Sequence, residues 1–81
     1  MDIVVECCGP AGRWCGADRI ELALPAAARV ADALERLAQR FPELAARRGQ
    51  LACAIGDRVV PVNETLTAGT VLSLIPPVSG G

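Results

Sequence analysis

The feature that most constrains the fold is a single change of hydrophobic period within a chain of only 81 residues. In the middle of the sequence, one apolar stripe has helical spacing and consists of Val30, Leu34, Leu37 and Phe41. On both sides of it lie short segments that alternate between apolar and polar residues, as half-buried strands do. A chain of this length forms one domain with a modest core. The helix and the strands must share that core, and we expect an α+β domain.

Five segments have the composition of strands, namely residues 2–8, 19–24, 51–55, 58–60 and 70–75. In the first two, alternation predicts buried faces made of Ile3, Val5 and Cys7 and of Ile20, Leu22 and Leu24. We expect these two strands to pair antiparallel across the loop between them. That loop is predicted to lack regular structure because it contains the breakers Gly9, Pro10, Gly12 and Gly16. Gly56-Asp57 is predicted to form a turn.

The helix is predicted to begin at Val30, and Pro42 is predicted to end it or to lie just beyond its end. Its start is poorly marked because Arg29 stands where a capping Ser or Thr would be expected. Asp32 and Arg36 have the spacing of an i,i+4 ion pair on its polar side. A further short turn of helix is compatible with residues 43–47, with Gly49 ending it.

Charge and composition argue against several classes of partner. The formal net charge is -1, there is no basic run, and Trp14 and Phe41 are the only aromatic residues. We therefore expect no nucleic-acid binding. The apolar stretches have the length of strands, so no membrane span is expected. The first residues lack the basic segment of a signal peptide, and we expect a cytoplasmic location.

The sequence contains no His and no Lys, so it lacks the usual general base near neutral pH and the usual Schiff-base nucleophile. Self-contained catalysis is therefore not expected. The four cysteines match neither a paired zinc motif nor a secreted disulfide framework, and we predict no metal site. Packing as small apolar residues is the expected role of Cys7, Cys8, Cys15 and Cys53. Cys8, at the end of the first strand, is the one best placed to be reachable.

The end of the sequence carries the most specific signal. After the last predicted strand the chain continues as Ile75-Pro76-Pro77-Val78-Ser79-Gly80-Gly81. The two prolines lack backbone N–H groups, so the sheet ladder must stop there, and they favour an extended conformation. We therefore divide the chain into a domain of residues 1–76 and a flexible tail of residues 77–81. The alternative is that the glycine pair is only a frayed end.

A terminal pair of glycines suits a carrier. Without Cβ atoms they can enter a channel too narrow for other residues, and they leave the Gly81 carboxylate sterically open. A free carboxylate is inert, but adenylation with ATP turns it into a mixed anhydride that sulfide or a persulfide can attack. The product is a thiocarboxylate at Gly81. This route needs no acid, base or metal from the carrier, in agreement with the lack of His.

Four segments of the sequence are similar to a known family. They are residues 75–81, the stretch from Cys8-Gly9-Pro10 to Cys15-Gly16-Ala17-Asp18, the helix start Val30-Ala31-Asp32-Ala33-Leu34, and Leu66-Thr67-Ala68-Gly69. Together they resemble the ubiquitin-like sulfur carriers of the MoaD/ThiS type, most closely the small subunit of molybdopterin synthase. Thr70 and Gly56 depart from the family, which usually has an acidic residue and Asn there.

The resemblance implies a ubiquitin-like β-grasp fold, with a mixed sheet of four to five strands wrapped on one main helix and the first and last strands adjacent. It implies that Gly81 carries the acyl-adenylate and then the thiocarboxylate. The residues implied to contact the partner are Pro76, Pro77, Val78, Ser79 and Gly80. The implied partners are an adenylating enzyme of the ubiquitin-activating type and the large subunit of molybdopterin synthase, in a heterotetramer.

In this interpretation the chain is a non-catalytic subunit that donates sulfur for the molybdopterin dithiolene in molybdenum cofactor biosynthesis. It binds no cofactor itself, and ATP and magnesium are used by the activating enzyme. Other carriers of this type serve thiamin thiazole, tRNA thiolation, cysteine synthesis or a specialised metabolite. A ubiquitin-like protein modifier would use the same Gly81, whereas a passive interaction domain would tolerate its loss.

Two further features have alternative interpretations. Trp14 is expected to pack within its loop rather than to recognise a partner. Arg47-Arg48 is expected to be a solvated pair, with docking to an acidic partner as the alternative.

Overall fold

The computed structural model describes residues 1–77 of the chain. Within them, five strands form one sheet: β1 (Asp2–Cys7), β2 (Arg19–Ala23), β3 (Ala52–Ile55), β4 (Arg58–Val60) and β5 (Val71–Ile75). The same residues contain the helices α1 (Ala11–Cys15), α2 (Val30–Arg40) and α3 (Pro42–Arg47), and a 3-10 turn at Arg48–Gln50. All the predicted strands are present, and each except β4 is one residue shorter than predicted.

The sheet is mixed, with the strand order β2-β1-β5-β3-β4. β1 and β5 lie parallel at its centre, with Val5 opposite Leu72. β2 pairs antiparallel with β1, as predicted, and β3 pairs antiparallel with both β5 and β4. Two parallel neighbours require a long crossover between them, and here the crossover contains α2. The predicted β-grasp arrangement, with the first and last strands adjacent, is confirmed.

The core lies between one face of the sheet and α2. At the centre of the sheet, Ile3, Val5, Leu72 and Leu74 each expose 1% of their surface or less. α2 buries the apolar stripe predicted from its spacing, together with Ala33. The predicted stripe residue Phe41 is half-buried and joins α2 to α3. Full burial of one large aliphatic side chain contributes about 2 kcal/mol, so these central side chains hold β5 firmly in place.

The start of α2 differs from the prediction. The Asp32 carboxylate accepts a hydrogen bond from the backbone N–H of Arg29 at 2.8 Å, so Asp32 caps the helix from its third position. Arg36 donates instead to the backbone oxygen of Ala23 at 3.2 Å. The predicted Asp32–Arg36 ion pair is therefore wrong, because each side chain finds a backbone partner.

The segment between β1 and β2 contains a helix, so the prediction that it lacks regular structure is wrong. α1 occupies Ala11–Cys15 and ends at Gly16, which has a left-handed φ of 70°. Gly12 lies inside the helix and is buried. A Cβ atom at this position would stand 2.7 Å from the Asp18 carboxylate oxygen. Glycine therefore serves here for close approach to residues 17–18 rather than for breaking the helix.

α3 confirms the short helix that the sequence allowed around residues 43–47. Pro42 is its first residue, a position where the missing N–H costs nothing. None of the helices within residues 1–77 has the length and apolar character needed to cross a membrane.

Candidate functional site

The predicted site lies at the end of β5 and in the segment that follows it. Pro76 is half-buried and Pro77 is exposed directly after the strand. Val78, Ser79, Gly80 and Gly81 lie outside the described residues, as does most of the predicted tail 77–81. The structure therefore defines the root of this segment, and the roles predicted for its last four residues remain predictions.

β5 holds that root from both sides. On one side, the backbone N–H of Cys8 donates to the oxygen of Leu74 at 3.1 Å. On the other side, Ile75 pairs with Ala52 of β3. Pro76 cannot donate to either neighbour because it has no N–H. The chain consequently leaves the sheet at its centre, at the end where β1 and β5 both stop. We call this end the tail end.

Glu6 and Arg19 bring charge to the side of β1 and β2 that is turned away from α2. Beside them, on the same side of the sheet, β3, β4 and β5 form an apolar surface close to the tail end. We call it the outer sheet face. Its exposed apolar side chains include Val59, 69% exposed, and Ile75, 37% exposed. The strand register places Val59 opposite Ala54, and Ala54 opposite Ser73. These side chains are small or aliphatic and uncharged, so they form a surface that can desolvate against a partner at little cost.

Analysis of the sequence missed the outer sheet face. The signal lies in Val59-Val60, since adjacent residues of a strand point to opposite faces and only one of them can enter the core. Val60 is buried and Val59 is in solvent. A three-residue strand is too short for its alternation to reveal which side chain faces outward.

The packing role predicted for all four cysteines is confirmed for three, and Cys8, the one best placed to be reachable, is the exception. Cys7, Cys15 and Cys53 are buried and Cys8 is exposed. Burial raises the pKa of the Cys7 thiol from 9.0 to about 12, and a hydrogen bond with Cys15 adds to this. Burial also raises the pKa values of Cys15 and Cys53. These three side chains therefore stay as neutral thiols in the core, while Cys8 stands in solvent beside the root of the tail.

Trp14 and Arg47 meet where α1 packs against α3. The Arg47 guanidinium lies 4.8 Å from the centroid of the Trp14 ring, within the range of a cation–π contact. Trp14 is half-buried and packs against the core, which confirms a packing role but places it in a helix. Arg48 bonds to the Glu35 carboxylate and to the Ala31 oxygen. Arg47 and Arg48 are thus not simply a solvated pair.

Within residues 1–77, no three His, Cys, Asp or Glu side chains are grouped so that they could hold a metal ion. The root of the tail is surrounded by backbone pairs and apolar side chains. Such an arrangement can present a chain end to another protein and can dock against it.

Comparison with known proteins gives a family and a set of similar structures. The model of the ThiS family matches residues 15–81. SAMP1 from Haloferax volcanii has a TM-score of 0.88 at 25% identity, with 100% of both chains covered. A Pyrococcus furiosus protein described as molybdopterin converting factor subunit 1 has a TM-score of 0.86 at 26% identity, over 96% of this chain and 99% of the other. A complex of subunits 1 and 2 of molybdopterin-converting factor from Helicobacter pylori 26695 contains a match with a TM-score of 0.69 at 28% identity, covering 100% of both chains.

Proposed function

Because the chain belongs to the ThiS family, we propose that it carries sulfur on Gly81 for the dithiolene of molybdopterin. The family and the similar structures make it a ThiS/MoaD-like sulfur carrier or a ubiquitin-like modifier. The observation that supports the carrier proposal is the exit of β5 from the centre of the sheet into Pro76-Pro77 and the final glycines. The acceptor and the thiocarboxylate are the parts that we propose.

Loading proceeds in two steps. In the first, the Gly81 carboxylate attacks the α-phosphorus of ATP, pyrophosphate leaves, and an acyl-adenylate forms. In the second, hydrosulfide adds to the acyl carbon, AMP leaves, and the thiocarboxylate remains with loss of one proton. If a persulfide attacks instead, an acyl disulfide forms, and a thiol then reduces it to the thiocarboxylate. ATP and magnesium belong to the adenylating enzyme, and this chain supplies only the carboxylate.

The role of the domain is to hold the tail in position for the partner enzyme. Leu72 and Leu74 are fully buried on β5, so the root of the tail is fixed while Gly80 and Gly81 enter the partner. Prolines at 76 and 77 reduce the conformational entropy that the tail loses on docking. The outer sheet face lies beside the tail and provides the apolar contact area. Val78 and Ser79 extend that contact along the partner's groove.

We propose the large subunit of molybdopterin synthase as the protein that consumes the sulfur, in a heterotetramer. The support is the similar Helicobacter pylori protein in complex with subunit 2 of molybdopterin-converting factor. In that assembly the Gly81 thiocarboxylate would act as the nucleophile that attacks the pterin precursor, and water would then cleave the acyl–sulfur bond, which leaves the sulfur on the pterin and restores the carboxylate at Gly81.

A second candidate is a protein modifier. The similarity to SAMP1, a small archaeal modifier protein, supports it. The same acyl-adenylate would then react with the amine of a target lysine, with AMP leaving and an isopeptide bond forming. Adenylation is common to both candidates, so the step after it distinguishes them.

The first test is the intact mass of the protein after incubation with ATP, magnesium, its adenylating enzyme and sulfide. A carrier gains the mass difference between sulfur and oxygen, and tandem mass spectrometry localises the gain to Gly81. Addition of the large synthase subunit and the pterin precursor should return the original mass.

Deletion of Gly81 is the matched control for this test. We expect the truncated protein to keep its thermal unfolding midpoint, because the core lies within residues 1–77, and to remain unloaded. A normal gain of mass in the truncated protein would refute the carrier mechanism. Lysine-linked adducts in place of the sulfur-loaded form would favour the modifier.

A further inference from the structure

The packing of α1 against α3 creates a surface separate from the outer sheet face. α1 begins three residues after Cys8, whose backbone is hydrogen-bonded to Leu74 of β5. α1 therefore lies at the tail end of the molecule. Arg13 is exposed on α1, next to the half-buried Trp14 that supports Arg47. We call Arg13, Trp14 and Arg47 the arginine shoulder.

The arginine shoulder lies in the cationic part of an otherwise acidic chain. Residues 10–18 and 40–50 contain four arginines and two acidic residues, whereas the remaining residues contain four arginines and seven acidic residues. Within residues 1–77, Arg13 forms no ion pair. Arg47 and Arg48 are paired with Glu43 and Glu35, so the excess positive charge of this part is carried by Arg13 and Arg40, which have no ion-pair partner within residues 1–77.

The Arg47 guanidinium is positioned to bind a carboxylate. Its guanidinium stacks on Trp14 and contacts the Glu43 carboxylate at 3.5 Å. The Arg47 side chain is still 42% exposed, so donor groups remain free for a partner. A stacked guanidinium loses less conformational entropy on binding than a free one. Trp and Arg are also the residues most enriched at the centres of protein interfaces.

We propose that the arginine shoulder is a second docking surface for the adenylating enzyme, and that it binds a cluster of carboxylates on that enzyme. The inference rests on the proposed function for the identity of the partner. Apolar contact through the outer sheet face contributes affinity, while the shoulder steers encounter and sets the orientation of the tail. A purely structural role for the Arg47–Trp14 contact is the competing explanation. It predicts no role for Arg13, which does not take part in that contact.

The test compares Arg13→Glu with Arg29→Glu. Both substitutions change the charge equally at exposed arginines, and Arg29 lies at the start of α2. In steady-state adenylation at low salt, we expect Arg13→Glu to raise the KM for the carrier about fivefold over the wild type, with kcat unchanged. The difference should shrink as salt is added, since exposed charges are screened over about 10 Å at 0.1 M. Arg47→Glu should act in the same direction, with its unfolding midpoint measured in parallel.

Binding measured by calorimetry without ATP gives a second readout that does not depend on loading. If Arg13→Glu and Arg29→Glu bind the enzyme equally, with the same salt dependence, the docking proposal is wrong. If the wild type binds in a manner that depends on Arg13 but gains no sulfur, the surface is real and the carrier function fails. If the wild type is loaded with sulfur and the KM of the Arg13→Glu variant equals that of the wild type, the carrier function stands and the proposed docking through the arginine shoulder is wrong.

Discussion

Cys7 and Cys8 are neighbours in the sequence, yet β1 turns the first into the core and ends before the second. Cys7 contacts Cys15 of α1, and burial holds the pKa values of both thiols above the ordinary value. A thiol with a raised pKa is less often ionised, and the thiolate is the reactive form. Position along a strand thus decides the reactivity of two identical side chains.

The native protein is therefore expected to react at one cysteine. At about pH 8, iodoacetamide should modify Cys8 first, and the other three thiols only after denaturant is added, because they are buried and neutral. Intact mass against time measures this, with Cys8→Ser as the control that removes the fast phase. Rapid modification of Cys7 or Cys53 in the folded protein would contradict the burial on which the core is built.

At the scale of elements, both α1 and α2 begin without the residues expected at a helix start. α1 follows Pro10 and is held by its close packing near residues 17–18 through Gly12. α2 follows Arg29, and the acceptor comes from Asp32 instead. In α1 a contact made after folding replaces the local signal, whereas in α2 a local acceptor three residues into the helix replaces the missing cap residue. Tertiary packing can override local propensity in this way.

Asp32 is expected to stabilise the domain through this cap. Asp32→Ala should lower the free energy of unfolding by about 1 kcal/mol, the usual cost of losing a capping acceptor. For a domain of this size that corresponds to a fall of about 5 °C in the unfolding midpoint. Calorimetry measures it, with Gln39→Ala, exposed on the same helix, as the control. Equal midpoints for the two variants would show that the cap contributes nothing.

At the scale of the whole molecule, two different surfaces border one chain end. The outer sheet face is apolar and belongs to β3, β4 and β5, whereas the arginine shoulder belongs to α1 and α3. β5, which leads into Pro76, forms part of the first surface, and the backbone of Cys8 just before α1 is hydrogen-bonded to it. We therefore expect a partner that receives the tail to contact both surfaces together.

Val59 is expected to contribute to docking and not to stability. Val59→Asp should raise the KM for adenylation about tenfold, because it places a charge in an apolar contact. The unfolding free energy should change by less than about 0.5 kcal/mol, as for most exposed positions. Val62→Asp is the matched control, since Val62 is 57% exposed but lies in the turn whose backbone bonds to Ala31 of α2. An equal effect of both variants would argue against docking through the outer sheet face.

Much of the architecture could be predicted from periodicity. Val5 and Leu22 lie on alternating segments, and Leu34 on a stripe of helical spacing; all three side chains are buried. The tail is a prediction from Pro76 and the terminal glycines, whose chemistry is local. α1 could not be predicted because a glycine can allow either close approach to a neighbouring segment or a reversal of the chain. Only the fold shows that Gly12 does the first and Gly16 the second. The outer sheet face was missed because β4 has three residues.

By itself, the sequence determined which residues seek the core and where the sheet must stop, and it predicts which carboxylate is activated. These properties depend on hydrophobicity, on the missing N–H of proline and on the missing side chain of glycine, and all of them act over a few bonds. Only the tertiary structure decided that β5 lies at the centre of the sheet, that Cys8 stands beside it, and that Trp14 supports Arg47. Those relations join residues far apart in the chain, and they exist only once burial of the shared core has brought the elements together.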